Sequence, residues 1–257
     1  MTDSADELLT EQRDHTLLIT INRPQARNAV NGAVARAMAA ALDRFEEDDD
    51  LRVAVLTGAG GTFSSGMDLK GFLTGDLPVV EGRGFGGLTE RPPSKPLIAA
   101  VEGYALAGGC ELVLACDLVV AAEDARFGVP EVKRGLVAAG GAALLLPQRI
   151  PRAAALEMLL TGDPVGAPRA HELGLVNRVV DSGGALDAAL ELAATIAANG
   201  PLAVRVTKQI AVSAPDWTLA DGWREQGALA GPVFFSADAA EGATAFAEKR
   251  PPVWTGK

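Results

Sequence analysis

The sequence contains few of the side chains on which several common kinds of site depend. Of its 257 residues, two are cysteines, two are histidines and 5 % are aromatic. Cys110 and Cys116 lie in an apolar run without metal-binding spacing, which predicts buried, reduced thiols. His15 and His171 stand alone, which disfavours a zinc site and a serine–histidine–aspartate triad. Any chemistry is therefore expected to depend on carboxylates and backbone groups.

Basic residues are also scarce. The chain has 23 lysines and arginines against 33 aspartates and glutamates, which gives a formal net charge of -10 at pH 7. Binding to nucleic acids is driven by clustered lysine and arginine, so we expect no nucleic-acid partner. The net charge still allows an anionic ligand in a local basic patch.

No long apolar run is free of charge. The longest, residues 96–122, is interrupted by Glu102, Glu111 and Asp117, which predicts no membrane span. The first 15 residues are acidic and have no apolar segment, which predicts no signal peptide. We therefore expect a protein of the reducing cytoplasm.

Short apolar segments alternate with helical patterns through the first two thirds of the chain. The predicted strands are residues 16–22, 52–57, 96–101 and 118–122, and the predicted helices are residues 31–47 and 108–115. This alternation predicts an α/β fold with parallel strand pairing. Residues 71–95 are predicted to form a long loop. From residue 185 the pattern is helical, with helices predicted at residues 186–198, 202–212, 217–229 and 237–248.

A glycine-rich turn after the second predicted strand invites comparison with dinucleotide-binding sites. Gly58 and Gly60 match the first two glycines of that motif, but Phe63 stands where the third is needed. The loop also continues where a helix should begin. We therefore predict no nicotinamide site.

Two glutamates occur in apolar surroundings. Glu111 follows two glycines and opens the apolar run of residues 112–115, and Glu131 follows residues 127–130. Burying a carboxylate without a partner costs free energy, so one interpretation is a functional pair. The other is structural, because both glutamates lie in the predicted first turn of a helix, where negative charge is stabilising.

Two glycine-rich turns can present backbone N–H groups to a ligand. They are residues 65–68 and residues 107–109, and the second leads into a predicted helix. Two such N–H groups aimed at one point form an oxyanion hole. The alternative is that the glycines only permit tight turns.

Motifs along nearly the whole chain resemble the crotonase, or enoyl-CoA hydratase/isomerase, superfamily. They are Asn22-Arg23-Pro24, Asn28-Ala29, FSSGMDLK at 63–70, KPLIAAVEGYA at 95–105, GGCE at 108–111, Asp117, FGVPE at 127–131, LTG at 160–162, GLVN at 174–177 and FAEKR at 246–250. Several motifs in the right order make the resemblance highly specific.

The resemblance implies a crotonase-like spiral core of ββα turns followed by a C-terminal helical trimerisation part. Residues 1–195 would form the core, which binds acyl-CoA and carries catalysis. Residues 196–257 would form the helical part, which serves oligomerisation and covers the CoA. It implies a homo-trimer, often paired into a hexamer, and an acyl-CoA thioester substrate. It implies neither a metal nor a separate cofactor, because coenzyme A is carried by the substrate.

By position, the resemblance assigns catalytic roles to four residues. The backbone N–H groups of Met67 and Gly108 would form the oxyanion hole. Glu111 and Glu131 match the acid/base pair of the hydratases, which implies reversible syn addition of water to a 2-enoyl-CoA, as in fatty acid β-oxidation. Glu111 would deprotonate the water that attacks C3, and Glu131 would protonate C2.

The resemblance also implies substrate contacts outside the catalytic pair. The positions are Gln25, Ala26, Arg27, Ser65, Gly66, Asp68, Leu69, Lys70, Phe246 and Lys249. Phe246 and Lys249 would close over the CoA, often from a neighbouring subunit. The alternative for Lys249 is a solvated charge in an acidic helix.

One segment departs from the hydratase pattern. Residues 137–142 read VAAGGA, whereas the best-matched hydratases have a P-G-x-G-G turn there, so the proline is lost and the glycines are shifted by one position. This turn lines the pocket near the reacting carbons. The sequence therefore leaves the substrate open, with an enoyl-CoA isomerase, a dehydratase of a polar acyl-CoA and a non-catalytic relative as alternatives.

Overall fold

The computed structural model describes residues 6–257 and is built around a six-stranded sheet. In the order of the sheet the strands are β1 (Leu8–Arg13), β2 (Thr16–Ile21), β3 (Val53–Gly58), β6 (Leu97–Val101), β8 (Leu118–Ala122) and β11 (Arg178–Val180). β1 pairs with β2 in the antiparallel sense, and every other pairing in this sheet is parallel.

Two smaller sheets lie beside the main one. β7 (Tyr104–Leu106), β9 (Arg126–Gly128) and β10 (Val165–Gly166) form a three-stranded sheet in the order β10-β9-β7. β4 (Val79–Val80) and β5 (Gly84–Phe85) form a hairpin. β7 leads directly into the helix that carries Glu111, and β9 leads to Glu131, so their parallel pairing brings the two glutamate segments side by side.

The helices follow in chain order and cover the sheets. They are α1 (Gly32–Glu47), α2 (Leu69–Leu73), α3 (Gly108–Ala115), α4 (Ala142–Arg149), α5 (Arg152–Thr161), α6 (Ala167–Glu172), α7 (Ala185–Ala197), α8 (Pro201–Ser213), α9 (Leu219–Phe234) and α10 (Ala237–Glu248). Short 3₁₀ helices span Pro24–Ala26, Pro130–Arg134 and Ala214–Asp216.

Both faces of the main sheet are buried, which explains why its strands read as continuous apolar runs. One face of β3 and β6 packs with α1 and α3 in the main core. The other packs against α7, whose alanines at positions 189, 193 and 197 are spaced by four residues and so share one helix face. Small side chains at this spacing let α7 lie close to the sheet.

The C-terminal helices are tied to the core by polar contacts. The Nζ of Lys208, on α8, donates to the Asp117 carboxylate at 2.6 Å and to the carbonyls of Pro93 and Lys95. The segment after α10 folds back on the start of that helix. There the buried Asp238 carboxylate accepts hydrogen bonds from the N–H groups of Thr255 and Gly256.

The structure confirms most of the predicted elements within one residue at each end. The predicted helix at residues 217–229 is the exception, because α9 runs on through Pro232 to Phe234. The prediction of a loop at residues 71–95 is wrong in part. That segment contains the end of α2 and the β4–β5 hairpin, and residues 83–89 are buried. Glycines with positive φ at 84, 86 and 87 let this short hairpin fold tightly enough to place Phe85 and Leu88 in the core.

Cys110 and Cys116 are free and buried, as predicted. Burial raises the pKa of Cys110 to about 12, so its thiol stays protonated. Among the described residues no helix is long and apolar enough to cross a bilayer. The prediction that no signal peptide is present falls partly on residues 1–5, which lie outside the described residues.

Candidate active site

Glu111 is presented by the first turn of α3. The residue before this helix, Ala107, has a φ of 51°, and the sharp turn lets α3 begin at Gly108 directly after β7. Glu111 is 4 % exposed. Its Oε1 accepts a hydrogen bond of 3.3 Å from the N–H of Ala142, the first residue of α4. The carboxylate is therefore buried and held mainly by the N-terminal turn of another helix.

Glu131 is presented by the 3₁₀ helix that follows β9. The preceding Val129 is buried, and Pro130 occupies the first helical position, where its missing N–H is not needed. Glu131 is half-buried, and its Oε2 is fully shielded from solvent. Within residues 6–257 this oxygen has no hydrogen-bond partner. A shielded carboxylate oxygen without a protein donor is a group prepared for a ligand or a proton.

The pKa values of both glutamates are raised. Burial is the main cause of the rise in the pKa of Glu111 to about 7; the N–H groups of Ala142 and Gly140 oppose the rise, and the charge of Glu131 adds to it. Burial also raises the pKa of Glu131. Because the charge of one glutamate acts on the other, the pair can hold one proton near neutral pH. That is the state in which one carboxyl acts as an acid and the other as a base.

The two predicted oxyanion amides lie at the meeting of two loops. A Cβ built on Gly66 would come within 2.8 Å of the Gly108 nitrogen and of the Ala107 Cβ, so the two turns are in direct contact. In the part of the chain that the structure describes, neither the Met67 nor the Gly108 N–H donates a hydrogen bond. Both are available to a carbonyl oxygen.

The turn before α4 lies directly against the Glu111 carboxylate. A Cβ built on Gly140 would come within 2.3 Å of Glu111 Oε2 and within 3.0 Å of the Phe85 Cβ. Only glycine fits between these groups. The divergent sequence at 137–142 therefore still places a glycine beside the carboxylate, and it places Ala138 in the core.

Phe85 lies between the Gly140 turn and the start of α3. A Cβ on Gly108 would come within 2.3 Å of the Phe85 ring, so the ring rests on the backbone that carries the predicted oxyanion amide. Sequence reasoning missed Phe85 because it assigned that segment to a loop. It placed the turn that contains Gly140 at the pocket but missed the contact of Gly140 with Glu111, because that contact joins residues far apart in the chain.

The predicted CoA-binding segments are neighbours in the structure. The N–H of Ser65 donates to the Arg27 carbonyl at 3.0 Å, which joins residues 25–27 to residues 65–70. Arg27, Leu69 and Lys70 are exposed, and two of them are basic. Asp68 instead pairs with Arg23 at 2.9 Å and caps α2. Its carboxylate is engaged in holding the loop.

Phe246 and Lys249 lie apart from this group. Both are exposed, on α10 and at its C-terminal cap. The N–H of Lys249 donates to the Phe246 carbonyl at 3.3 Å, and among the described residues no hydrogen bond joins either of them to a predicted site residue outside this pair. A groove of about 850 Å³ lies elsewhere, lined by residues 13–16, Arg52, α7 and residues 251–254, and none of the predicted site residues lines it.

Comparison with known proteins places this geometry in a family. Residues 11–257 match the model of the enoyl-CoA hydratase/isomerase family. The chain is similar to the enoyl-CoA hydratase EchA19 of Mycobacterium tuberculosis, with 44 % identity over 97 % of each protein. It is also similar to the carnitinyl-CoA dehydratase of Salmonella enteritidis, with 43 % identity over 94 % of this chain and 95 % of that protein.

Solved structures agree with this result. The crystal structure of the enoyl-CoA hydratase EchA1 from Mycobacterium marinum superimposes with a TM-score of 0.97 at 61 % identity, covering 98 % of this chain and 100 % of that one. That of a carnitinyl-CoA hydratase from Mycobacterium avium gives a TM-score of 0.78 at 43 % identity, covering 99 % and 100 %.

The fold and the family match define a crotonase-type enzyme, as the sequence motifs predict. The chain belongs to the enoyl-CoA hydratase/isomerase family.

Proposed function

We propose that this protein is a hydro-lyase of the enoyl-CoA hydratase type, which adds water reversibly and in the syn sense to a 2-enoyl-CoA thioester. The observation that carries the proposal is a pair of carboxyls presented by neighbouring segments: Glu111 is buried, Glu131 is half-buried with a shielded Oε2, and the charge of Glu131 acts on Glu111. A double-bond shift needs a proton moved between two carbons, whereas hydration needs one group to activate water and another to protonate carbon. Two glutamates serve the second task.

The oxyanion hole supplies the electronic activation. The N–H groups of Met67 and Gly108 would hold the thioester oxygen, which would then accept negative charge as water attacks. Polarisation of the carbonyl makes C3 electrophilic and stabilises the enolate that forms at C2. Each donor of this kind is typically worth about 3–4 kcal/mol of transition-state stabilisation, because the charge develops in a site shielded from water.

The two carboxyls supply the proton transfers. Glu111 would accept a proton from the water that attacks C3, and Glu131 would deliver a proton to C2. Positioned acid/base groups of this kind contribute about 10²–10⁴-fold in rate. Burial raises the pKa of both groups, which supports a proton-transfer role for the pair, and the division of roles between the two follows from the family resemblance.

The coenzyme A part of the substrate would bind to one surface formed by two loops of the chain. No separate cofactor would be needed. The residues proposed for this contact are those of segments 25–27 and 65–70, with Phe246 and Lys249 as a cover. The exposed Arg27 and Lys70 support an anionic ligand there. Asp68, bound to Arg23, would keep the loop in place.

The test is the loss of conjugated enoyl thioester absorbance when crotonyl-CoA is added. Wild type is expected to remove this absorbance, and Glu111→Gln and Glu131→Gln are each expected to lower kcat by about 10²–10⁴-fold. Binding of a saturated acyl-CoA should survive in both variants. Glu123, which is exposed on the same chain, supplies the control variant Glu123→Gln. Near wild-type activity in both site variants would refute the acid/base assignment.

A second candidate is a dehydratase or hydratase of a polar acyl-CoA. The similarity to carnitinyl-CoA dehydratases, at the same level as that to an enoyl-CoA hydratase, favours it. A panel of crotonyl-CoA, 3-enoyl-CoA, crotonobetainyl-CoA and 3-hydroxyacyl-CoA separates the two. The substrate with the highest kcat/KM decides between the apolar acyl class of fatty acid oxidation and the polar class, and turnover of 3-enoyl-CoA alone would indicate an isomerase.

We also propose that the chain assembles as a homo-trimer or as a hexamer of two trimers. α8 and α9 bury no residue within the described chain, although both are long and amphipathic. A helix pair of this kind needs a partner surface.

A further inference from the structure

Ser64 lies fully buried beside the predicted oxyanion amides. Its backbone is held by β7, because its N–H donates to the Tyr104 carbonyl at 2.9 Å and its carbonyl accepts from the Leu106 N–H at 3.0 Å. The hydroxyl takes no part in these strand-like bonds. Its removal therefore leaves the backbone pairing of this segment intact.

The Ser64 hydroxyl makes two other hydrogen bonds. It donates to the Asn28 carbonyl at 2.8 Å and accepts from the Gly66 N–H at 3.1 Å. Gly66 has a φ of 94°, which glycine adopts without steric cost, so hydrogen bonds and not a side chain fix the orientation of its peptide groups. The hydroxyl thus fixes the amide immediately before the peptide unit that carries the Met67 N–H.

That next peptide unit is held from its other side. The Gly66 carbonyl accepts a hydrogen bond of 2.8 Å from the Val30 N–H. The carbonyl and the Met67 N–H belong to one planar unit and point in opposite directions. With Gly66 held at its N–H by Ser64 and at its carbonyl by Val30, the Met67 N–H has one direction.

Ser64 also meets the helix that supplies the second amide. A Cβ built on Gly109 would come within 2.3 Å of the Ser64 carbonyl oxygen, so the first turn of α3 packs directly on this residue. One buried residue therefore contacts the segments of both donors.

We propose that Ser64 is a positioning residue of the oxyanion hole, whose hydroxyl fixes the direction of the Met67 N–H by holding Gly66. The inference rests on the proposed function, in which the Met67 and Gly108 amides hold the thioester oxygen. Preorganised donors act only when their direction is set before the charge develops.

The test compares Ser64→Ala with Thr57→Ala. Thr57 is a matched control because it is also buried and its hydroxyl donates to a carbonyl, that of Ala100, at 2.9 Å, on the strand pair β3–β6. For Ser64→Ala we expect kcat on crotonyl-CoA to fall about tenfold or more, with KM changed by less than about twofold. Thr57→Ala should keep the wild-type kcat at a similar loss of thermal stability.

A spectroscopic readout separates positioning from general loosening. Cinnamoyl-CoA absorbs at longer wavelength when its carbonyl is polarised, so its red shift on binding reports the oxyanion hole. The shift should shrink in Ser64→Ala and persist in Thr57→Ala. In Ser64→Cys, whose thiol is a weak donor and acceptor, kcat and the red shift should lie between those of wild type and those of Ser64→Ala. If the alanine variant does not fold, the cysteine variant takes its place in the test.

Two outcomes would overturn the inference. One is a wild-type kcat and red shift in Ser64→Ala, and the other is an equal loss in Thr57→Ala. Failure of the proposed function has a different signature, because wild type would then hydrate no enoyl-CoA of the panel. The red shift of bound cinnamoyl-CoA would still show whether Ser64 sets the polarisation of the carbonyl.

Discussion

The Glu111 carboxyl illustrates, at the scale of a residue, how burial changes a common side chain. It is 4 % exposed, and burial raises its pKa from the ordinary 4.5 to about 7. A carboxyl with a higher pKa in the folded state holds more protons there than in the unfolded chain. Its contribution to stability is therefore complete below pH 4.5 and is lost as the pH rises through 7.

We expect Glu111→Gln to remove this pH dependence. Relative to the variant, wild type should lose about 2–3 kcal/mol of unfolding free energy between pH 5 and pH 8, because the variant has no proton to release. Urea denaturation at fixed protein concentration measures the difference at each pH. The exposed Glu123→Gln should follow the wild-type curve. Parallel curves for wild type and Glu111→Gln would contradict the burial argument.

Residue-scale prediction from the sequence reaches positions that a local motif marks and misses contacts between distant segments. Glu111 and Gly108 are three positions apart, and the family resemblance assigns a role to both from one short motif. Ser64 and Phe85 act through partners that are distant in sequence. Ser64 reads as an ordinary loop serine until its bond to the Asn28 carbonyl, 36 positions away, is known.

At the scale of an element, the turn at residues 138–142 depends on one small residue. A methyl group at Gly140 would overlap the Glu111 carboxylate, with Oε2 only 2.3 Å away. Either the carboxylate or the start of α4 must move. The backbone of Gly140 itself has no positive φ, so the cost comes from the contact and not from the conformation.

We therefore expect Gly140→Ala to lower kcat for hydration about tenfold or more, since a displacement of about 1 Å can cost up to about 10²-fold in rate. Gly222→Ala is the matched control, because its Cβ would meet only the Trp217 side chain at 3.8 Å, an ordinary contact, and alanine favours a helix. Steady-state kinetics with crotonyl-CoA measures kcat for both variants. Equal kcat of Gly140→Ala and wild type would mean that the Glu111 carboxylate can move away from the added methyl group without loss of activity.

The elements that the sequence did not predict include helices α4 and α5 and several strands with weak periodicity. β1 is an edge strand in which only Leu8 is buried, so it lacks an apolar alternation. β7, β9 and β10 are two or three residues long, too short for a pattern of their own. α1 and α10 were predictable because their buried residues recur at helical spacing between clear ends.

At the scale of the whole molecule, the C-terminal helices present an apolar surface. Leu219 and Trp223 are one turn apart on α9 and are 83 % and 70 % exposed, and Phe234 on the same helix is 77 % exposed. Phe235, which follows directly, is 91 % exposed. Clusters of large exposed apolar side chains are typical of protein interfaces. A second copy of the chain is the partner that our proposal of a trimer or hexamer requires.

Trp223→Glu should therefore lower the oligomeric state. The introduced charge would lie in an apolar interface without a partner. Replacing a large side chain at the centre of an interface typically costs about 2 kcal/mol or more of binding free energy. Size-exclusion chromatography with light scattering should give three or six times the chain mass for wild type and a smaller species for the variant. Glu225→Ala, two positions along and on the other side of the helix, is the control and should assemble like wild type. A wild-type monomer, or dissociation by both substitutions alike, would show that this face of α9 does not form the interface.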